Sequence, residues 1–155
     1  PGFVLGDFLN EKNCTSMEYV KQLLQGKFPA APKFSVMISH VKDIAKAHVL
    51  SLKNKRAGGR RLIVGSEVRS ILELSQIMAK NIPSHAKKLP KRELPNFMVK
   101  LLSYIDTSAK TMVPDLGLEM QTDQTYAEDI LQMKFMASEI AVVDAAKSVI
   151  RLNLA

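Results

Sequence analysis

Strand-forming segments in this 155-residue chain are few and early, and helical periodicity takes over its second half. Residues 1–6, Pro1-Gly2-Phe3-Val4-Leu5-Gly6, are apolar and β-rich with little alternation, the pattern of a buried strand end. Phe34 to Val41 alternates Phe34, Val36 and Ile38 with Ser35, Met37 and Ser39, which predicts a second strand. Arg61-Leu62-Ile63-Val64 is short, apolar and bounded by glycines, and predicts a third. An α/β fold follows, with the sheet in the first half.

Helices fill the rest. Met17, Val20, Leu23 and Leu24 form one apolar stripe, with Thr15 or Ser16 as cap, Glu18 at capping-box spacing and Gly26 as stop. Pro29 and Pro32 keep the next stretch extended. Asp43 is placed to cap a helix that carries Ile44, Ala47, His48 and Leu50 and stops before Gly58-Gly59. Ser70 and Glu73 form an S-x-x-E box that opens a helix to about Lys80. Pro83, Pro90 and Pro95 break the region after it into loop. Further helices are predicted over 96–104 and 108–113, from about Asp123 to Leu131, and from Ser138 onward. Residues 1–80 are expected to hold the strands and their helices, and 81–155 a mainly helical region.

Several chemistries are excluded. Neither G-x-G-x-x-G nor G-x-x-x-x-G-K-[ST] occurs, so no phosphate cradle is present. His40, His48 and His85 do not fall at metal-ligand spacing, and no metal site is expected. No G-x-S-x-G elbow is present. Cys14 is the only cysteine, so no internal disulfide forms and a cytoplasmic setting is expected. No window approaches the roughly 18 consecutive apolar residues of a membrane span. The net charge is +7, and its densest run is Lys87-Lys88-Leu89-Pro90-Lys91-Arg92. Prolines flank that run and no aromatic residue interleaves it, so it reads as a solvated loop and not as a nucleic-acid patch. Arg60 and Arg61 read as solvated, and His48 as a satisfied core histidine.

A family resemblance rests on several segments in order. Pro1–Gly6 is similar to the P-x-x-V-x-G segment that follows the catalytic Tyr-x-x-x-Lys of extended short-chain dehydrogenases/reductases, although Asp7 stands where a proline is usual. His40-Val41-Lys42-Asp43-Ile44-Ala45-Lys46-Ala47-His48-Val49 resembles that family's H-V-x-D-[VI]-A-x-A-H-[VI]. Arg60–Val64, the Ser70 helix, Leu94–Phe97, Val113–Gly117 and the Asp123–Leu131 helix resemble the dihydroflavonol-reductase-like and aldehyde-reductase-like branch. The resemblance implies the C-terminal portion of a Rossmann-type reductase: a few parallel strands plus a mainly helical substrate-binding region.

It also implies site residues. Pro1, Gly2, Phe3 and Val4 would border the nicotinamide of NADP or NAD. Ser16 would lie near the cofactor's pyrophosphate and ribose. Leu5, Tyr19 and Met37 would border a small carbonyl substrate. The family's glycine-rich loop and Tyr-x-x-x-Lys pair precede the segment that Pro1 matches. The positions four after Tyr19, Tyr104 and Tyr126 are Leu23, Ser108 and Ile130, so no such pair exists here, no catalytic residue is assigned, and the chain alone is expected to be inactive. Its abrupt apolar start is expected to be the interior of a longer chain. A parallel strand needs cover on both faces. A partner is therefore expected: the missing N-terminal Rossmann part or a second copy. The alternative is a non-catalytic module that binds a ligand or partner.

Overall fold

The computed structural model describes residues 1–11, 14–104, 110, 113–118 and 120–155. Its main sheet has three strands in the order β1-β3-β4. β1 (Phe3–Leu5) runs parallel to β3 (Ser35–His40), with Phe3 opposite Ile38 and Leu5 opposite His40. β4 (Val68–Ser70) closes the other side antiparallel to β3. A separate two-stranded ladder joins β2 (Ala31–Pro32) to β5 (Glu93–Leu94) in parallel.

The α-helices among the described residues include α1 (Thr15–Leu24), α2 (Val41–Lys53), α3 (Ile71–Asn81), α4 (Asn96–Leu102), α5 (Thr125–Leu131) and α6 (Ser138–Arg151). α6 buries Ala141, Val142, Ala145, Ala146 and Val149, an i, i+1, i+4, i+5, i+8 stripe that packs on the sheet, α1 and α3. Its small residues let the backbones approach. Leu5, Met17, Leu23, Ile38, Ile71, Leu74 and Met78 complete this core. A second cluster of Ala47, Val64, Ile130, Leu131 and Met133 lies where α2 meets α5.

The Ser70 box forms as its spacing predicts. The Ser70 hydroxyl accepts the Glu73 N–H at 3.2 Å, and the Glu73 carboxylate accepts the Ser70 N–H at 2.7 Å. Gly26 follows α1 with φ at +75°, a conformation that favours glycine. The helices from Asn96, Thr125 and Ser138 are present, and the first ends at Leu102. The helix predicted over 108–113 falls largely outside the described residues.

Other expectations are corrected. Arg61–Val64 is not a strand: its backbone joins no ladder, and the partner β3 needed on that side is β4 instead. The first backbone bonds from this stretch to β3 come at Ser66 and Glu67, where Ser66 donates to the Ile38 carbonyl and Ile38 donates to Glu67. α1 has Cys14 at its cap position with no side-chain cap, and Glu18 instead accepts from Gln22 and Lys21. Asp43 does not cap α2. His40 does, its Nδ1 accepting the Lys42 N–H at 3.1 Å. Asp43 sits one turn inside, buried, and accepts the Met136 N–H at 2.8 Å, which ties α2 to the loop before α6. His48 is exposed, with Nδ1 2.7 Å from the Ile44 carbonyl oxygen. The buried histidine is His40.

Arg60 and Arg61 are exposed, as are Lys87, Lys88, Lys91 and Arg92, while Leu89 anchors that basic loop in the core. No helix among the described residues is long and apolar enough to cross a membrane.

Candidate functional site

Of the residues singled out by the sequence, Gly2, Phe3, Tyr19 and Met37 meet around β1. Three segments meet there: 1–5, the β3 residues 35–40, and the irregular stretch 64–66. Phe3 and Leu5 point to the face covered by the main core, where Leu5 is fully buried and Phe3 packs partly exposed against it. The intervening Val4 lies opposite Ser39 and faces the other way. Pro1 and Gly2 are exposed. β1 has β3 on one side and no strand on the other among the described residues.

Tyr19 reaches this cluster from α1. Its ring meets Phe3 edge-on with centroids 6.0 Å apart and stacks on Phe28 at 5.2 Å. Its hydroxyl is buried without a hydrogen-bond partner among the described residues. Burial drives the phenol pKa far upward, so the group stays protonated and can only act as a neutral donor or acceptor. Ser16 lies in the first turn of α1, partly exposed, its Oγ 3.5 Å from the Cys14 sulfur. The amides of Thr15, Ser16 and Met17 precede the first intrahelical bond, which Glu18 donates to Cys14. Met37 is buried on β3, and its carbonyl oxygen lies where a Cβ on Gly2 would stand only 2.2 Å away. The structure therefore brings Phe3 together with Tyr19, and Gly2 together with Met37. It places Leu5 behind them in the core.

Two residues of this neighbourhood were missed by pattern reading. Ser39 is fully buried, accepts the Gly2 N–H at 3.0 Å and donates to the Val64 carbonyl at 2.8 Å. A serine in an alternating strand reads as its polar face, so its only sequence signal was being polar at a position that turned out to be covered. His40, at the end of β3, uses Nδ1 for its cap, so its Nε2 carries the proton and faces Asp144 Oδ2 at 3.4 Å.

The arrangement offers an apolar, half-buried strand packed against α1, whose first amides, Thr15 to Met17, precede the helix's own bonds. Among the described residues no group of three potential ligands could hold a metal ion.

Comparison with known proteins adds a fold and a relative. No family model matches the chain. Tetraketide alpha-pyrone reductase 2 of Arabidopsis thaliana is 29% identical over 85 residues, 55% of this chain and 26% of that protein. The yeast methylglyoxal/isovaleraldehyde reductase Gre2, solved with NADPH, superposes with a TM-score of 0.66 and 20% identity over 97% of this chain and 45% of its own. Vestitone reductase from alfalfa gives 0.67 and 20% identity over 99% of this chain and 44% of its own. At these identities the solved structures establish the fold. The chain spans about a quarter of the curated relative's length and less than half of either solved neighbour.

Proposed function

We propose that this chain is the C-terminal part of an extended short-chain dehydrogenase/reductase, an NAD(P)H-dependent reductase of aldehydes or ketones in the dihydroflavonol-reductase-like branch, as its likeness to reductases supports. The observation that carries the reading is the Pro1–Leu5 segment. It forms a parallel strand whose outer edge is open, at the place where the family's motif borders the nicotinamide.

The residues present fit one side of a dinucleotide. Pro1, Gly2, Phe3 and Val4 make an apolar wall that holds a flat ring in place and keeps water from it. Ser16 and the free amides at the start of α1 suit the charged pyrophosphate and the ribose hydroxyls. When bound, NADP or NAD supplies the hydride. Tyr19 and Met37 shape the substrate side, with Leu5 fixing Phe3 from the core. The glycine-rich loop and the Tyr-x-x-x-Lys proton donor belong to the N-terminal Rossmann part, which is the partner that completes the site. A cytoplasmic setting suits the single exposed thiol of Cys14.

The test is NADH and NADPH oxidation with short aldehydes and ketones, run on the 155-residue chain and on the complete protein that carries it. Turnover in the complete protein and none in the chain is expected. Turnover by the 155 residues alone would overturn the division of labour.

One observation favours a second reading. The lack of any Tyr-x-x-x-Lys pair, together with exposed Phe97, Leu101 and Leu52, suits a non-catalytic module that binds a ligand or partner. Absence of turnover in both preparations, with saturable cofactor or ligand binding retained, would select it.

A further inference from the structure

We infer that Ser39 is the positioning residue of the nicotinamide wall. The inference rests on the reading of Pro1–Val4 given above and adds a residue that the family motif does not contain. Three pieces of chain that are far apart in sequence converge on one hydroxyl. It accepts the Gly2 N–H at 3.0 Å and donates to the Val64 carbonyl oxygen at 2.8 Å. Ser39 is 0% exposed, its bond to Val64 is buried, and its bond from the exposed Gly2 is part-buried.

Sterics close the same joint. A Cβ on Gly2 would stand 2.2 Å from the Met37 carbonyl oxygen, so the chain before Phe3 lies flat against β3. A Cβ on Gly65 would stand 2.9 Å from the Ser39 Oγ and from the Met37 sulfur. The stretch 64–66 is thus pressed onto the other side of the hydroxyl. The short ladder of β1 covers only Phe3 to Leu5. Pro1 and Gly2 lie beyond it, and the Ser39 bond is what fixes them.

A hydroxyl in this position does two things. It holds the wall at a set distance from β3, and it couples that wall to the 64–66 stretch. Removing it leaves the buried Val64 carbonyl without its donor and frees the Gly2 amide. The wall then samples positions that no longer present one face of the ring to the substrate.

The experiment uses the complete protein carrying this chain, with Ser39→Ala and Ser39→Thr. It reads cofactor KM, kcat, stereochemistry of the alcohol product, thermal midpoint and hydrogen exchange at the Gly2 amide. Expected for Ser39→Ala are a rise in cofactor KM of about five- to tenfold, the scale set by one lost hydrogen bond, and a lower stereochemical ratio. The Gly2 amide exchanges faster, and Ser39→Thr, which keeps the hydroxyl, restores the ratio. If Ser39→Ala lowers kcat only in proportion to lost folded protein, with KM and the ratio unchanged, Ser39 is structural and the inference is overturned. A wild-type protein with no reductase turnover would overturn the proposed function and this role together. Slow exchange at Gly2 would then mark the bond as a packing feature alone.

Discussion

α2 and α6 are of similar length and both carry an apolar stripe, yet they end in opposite circumstances. α6 hides seven residues against the sheet, α1 and α3. α2 hides only Asp43 and Ala47, and leaves Val49 51% and Leu52 89% exposed. Val41, Ala45, Val49 and Leu52 fall on one exposed face of the helix. Periodicity records where a helix is covered in its working assembly. For α6 the cover is within the chain. For α2 it is not, and α4 repeats the lesson with exposed Phe97 and Leu101. Scattered apolar exposure is normal, but a stripe along one helix face is the kind of surface that the proposed partner would cover.

The largest expected effect separates the two helices directly. Val142→Asp puts a carboxylate into the fully buried side of α6 and should abolish cooperative folding, at a cost of several kcal/mol. Leu52→Asp on α2 should change the stability of the isolated chain, at dilutions where it is a single chain, by less than about 0.5 kcal/mol. Thermal melts followed by circular dichroism decide it; equal losses would mean that α2 is covered within the chain after all.

Next in size is Asp43→Ala. Its carboxylate is the polar tie between α2 and the loop before α6, and the Met136 N–H loses its acceptor. A loss of about 1–3 kcal/mol in urea unfolding is expected. An unchanged midpoint would show that the two helices are joined by packing alone.

The pH response follows from two glutamates on the side of the sheet next to α6. Burial alone would raise the Glu67 carboxyl, but hydrogen bonds from the Ser138 backbone and hydroxyl outweigh it and hold the pKa below 4.5. At Glu73, burial also works upward, and the Ser70 bonds with Arg69 win. Both folded values lie below the unfolded one. Their stabilisation is therefore full above about pH 4.5 and is lost as pH falls through the lower, folded values. An acid titration of Glu67→Gln should be flatter over that window than the parent's. Identical curves would remove Glu67 from the account.

The smallest effect is at Tyr19. Tyr19→Phe deletes a buried hydroxyl that has no partner among the described residues and keeps the stacking on Phe28. A gain of up to about 1 kcal/mol in the isolated chain is expected. A loss instead would reveal a partner for that hydroxyl.

How much was legible in the sequence divides along the same line. The α3 box, the α1 and α6 stripes and the alternation of β3 are local patterns, and local chemistry produces them. Long-range pairings were not legible. β4 forms because Val68–Ser70 meets β3, while the more strand-like Leu62–Val64 finds no ladder and gives its Val64 carbonyl to Ser39 instead. Asp43 left its expected part as cap for a similar reason. The cap fell to the residue one turn earlier, and the carboxylate was drawn to an amide 93 residues away. At the site, the resemblance singled out Pro1–Val4, whereas the bond from Gly2 to Ser39 runs between residues 37 apart and left no pattern to read.

The central claim is that the open β1 edge and the bare face of α2 receive another part of a reductase. Size-exclusion chromatography with light scattering on the 155-residue chain, over a range of concentrations, tests it most directly. The account expects a mass above one chain that rises with concentration, and a return towards one chain in a Val49→Asp, Leu52→Asp double variant. A stable species of one chain's mass at every concentration, indifferent to that variant and binding no hydrophobic dye, would contradict it.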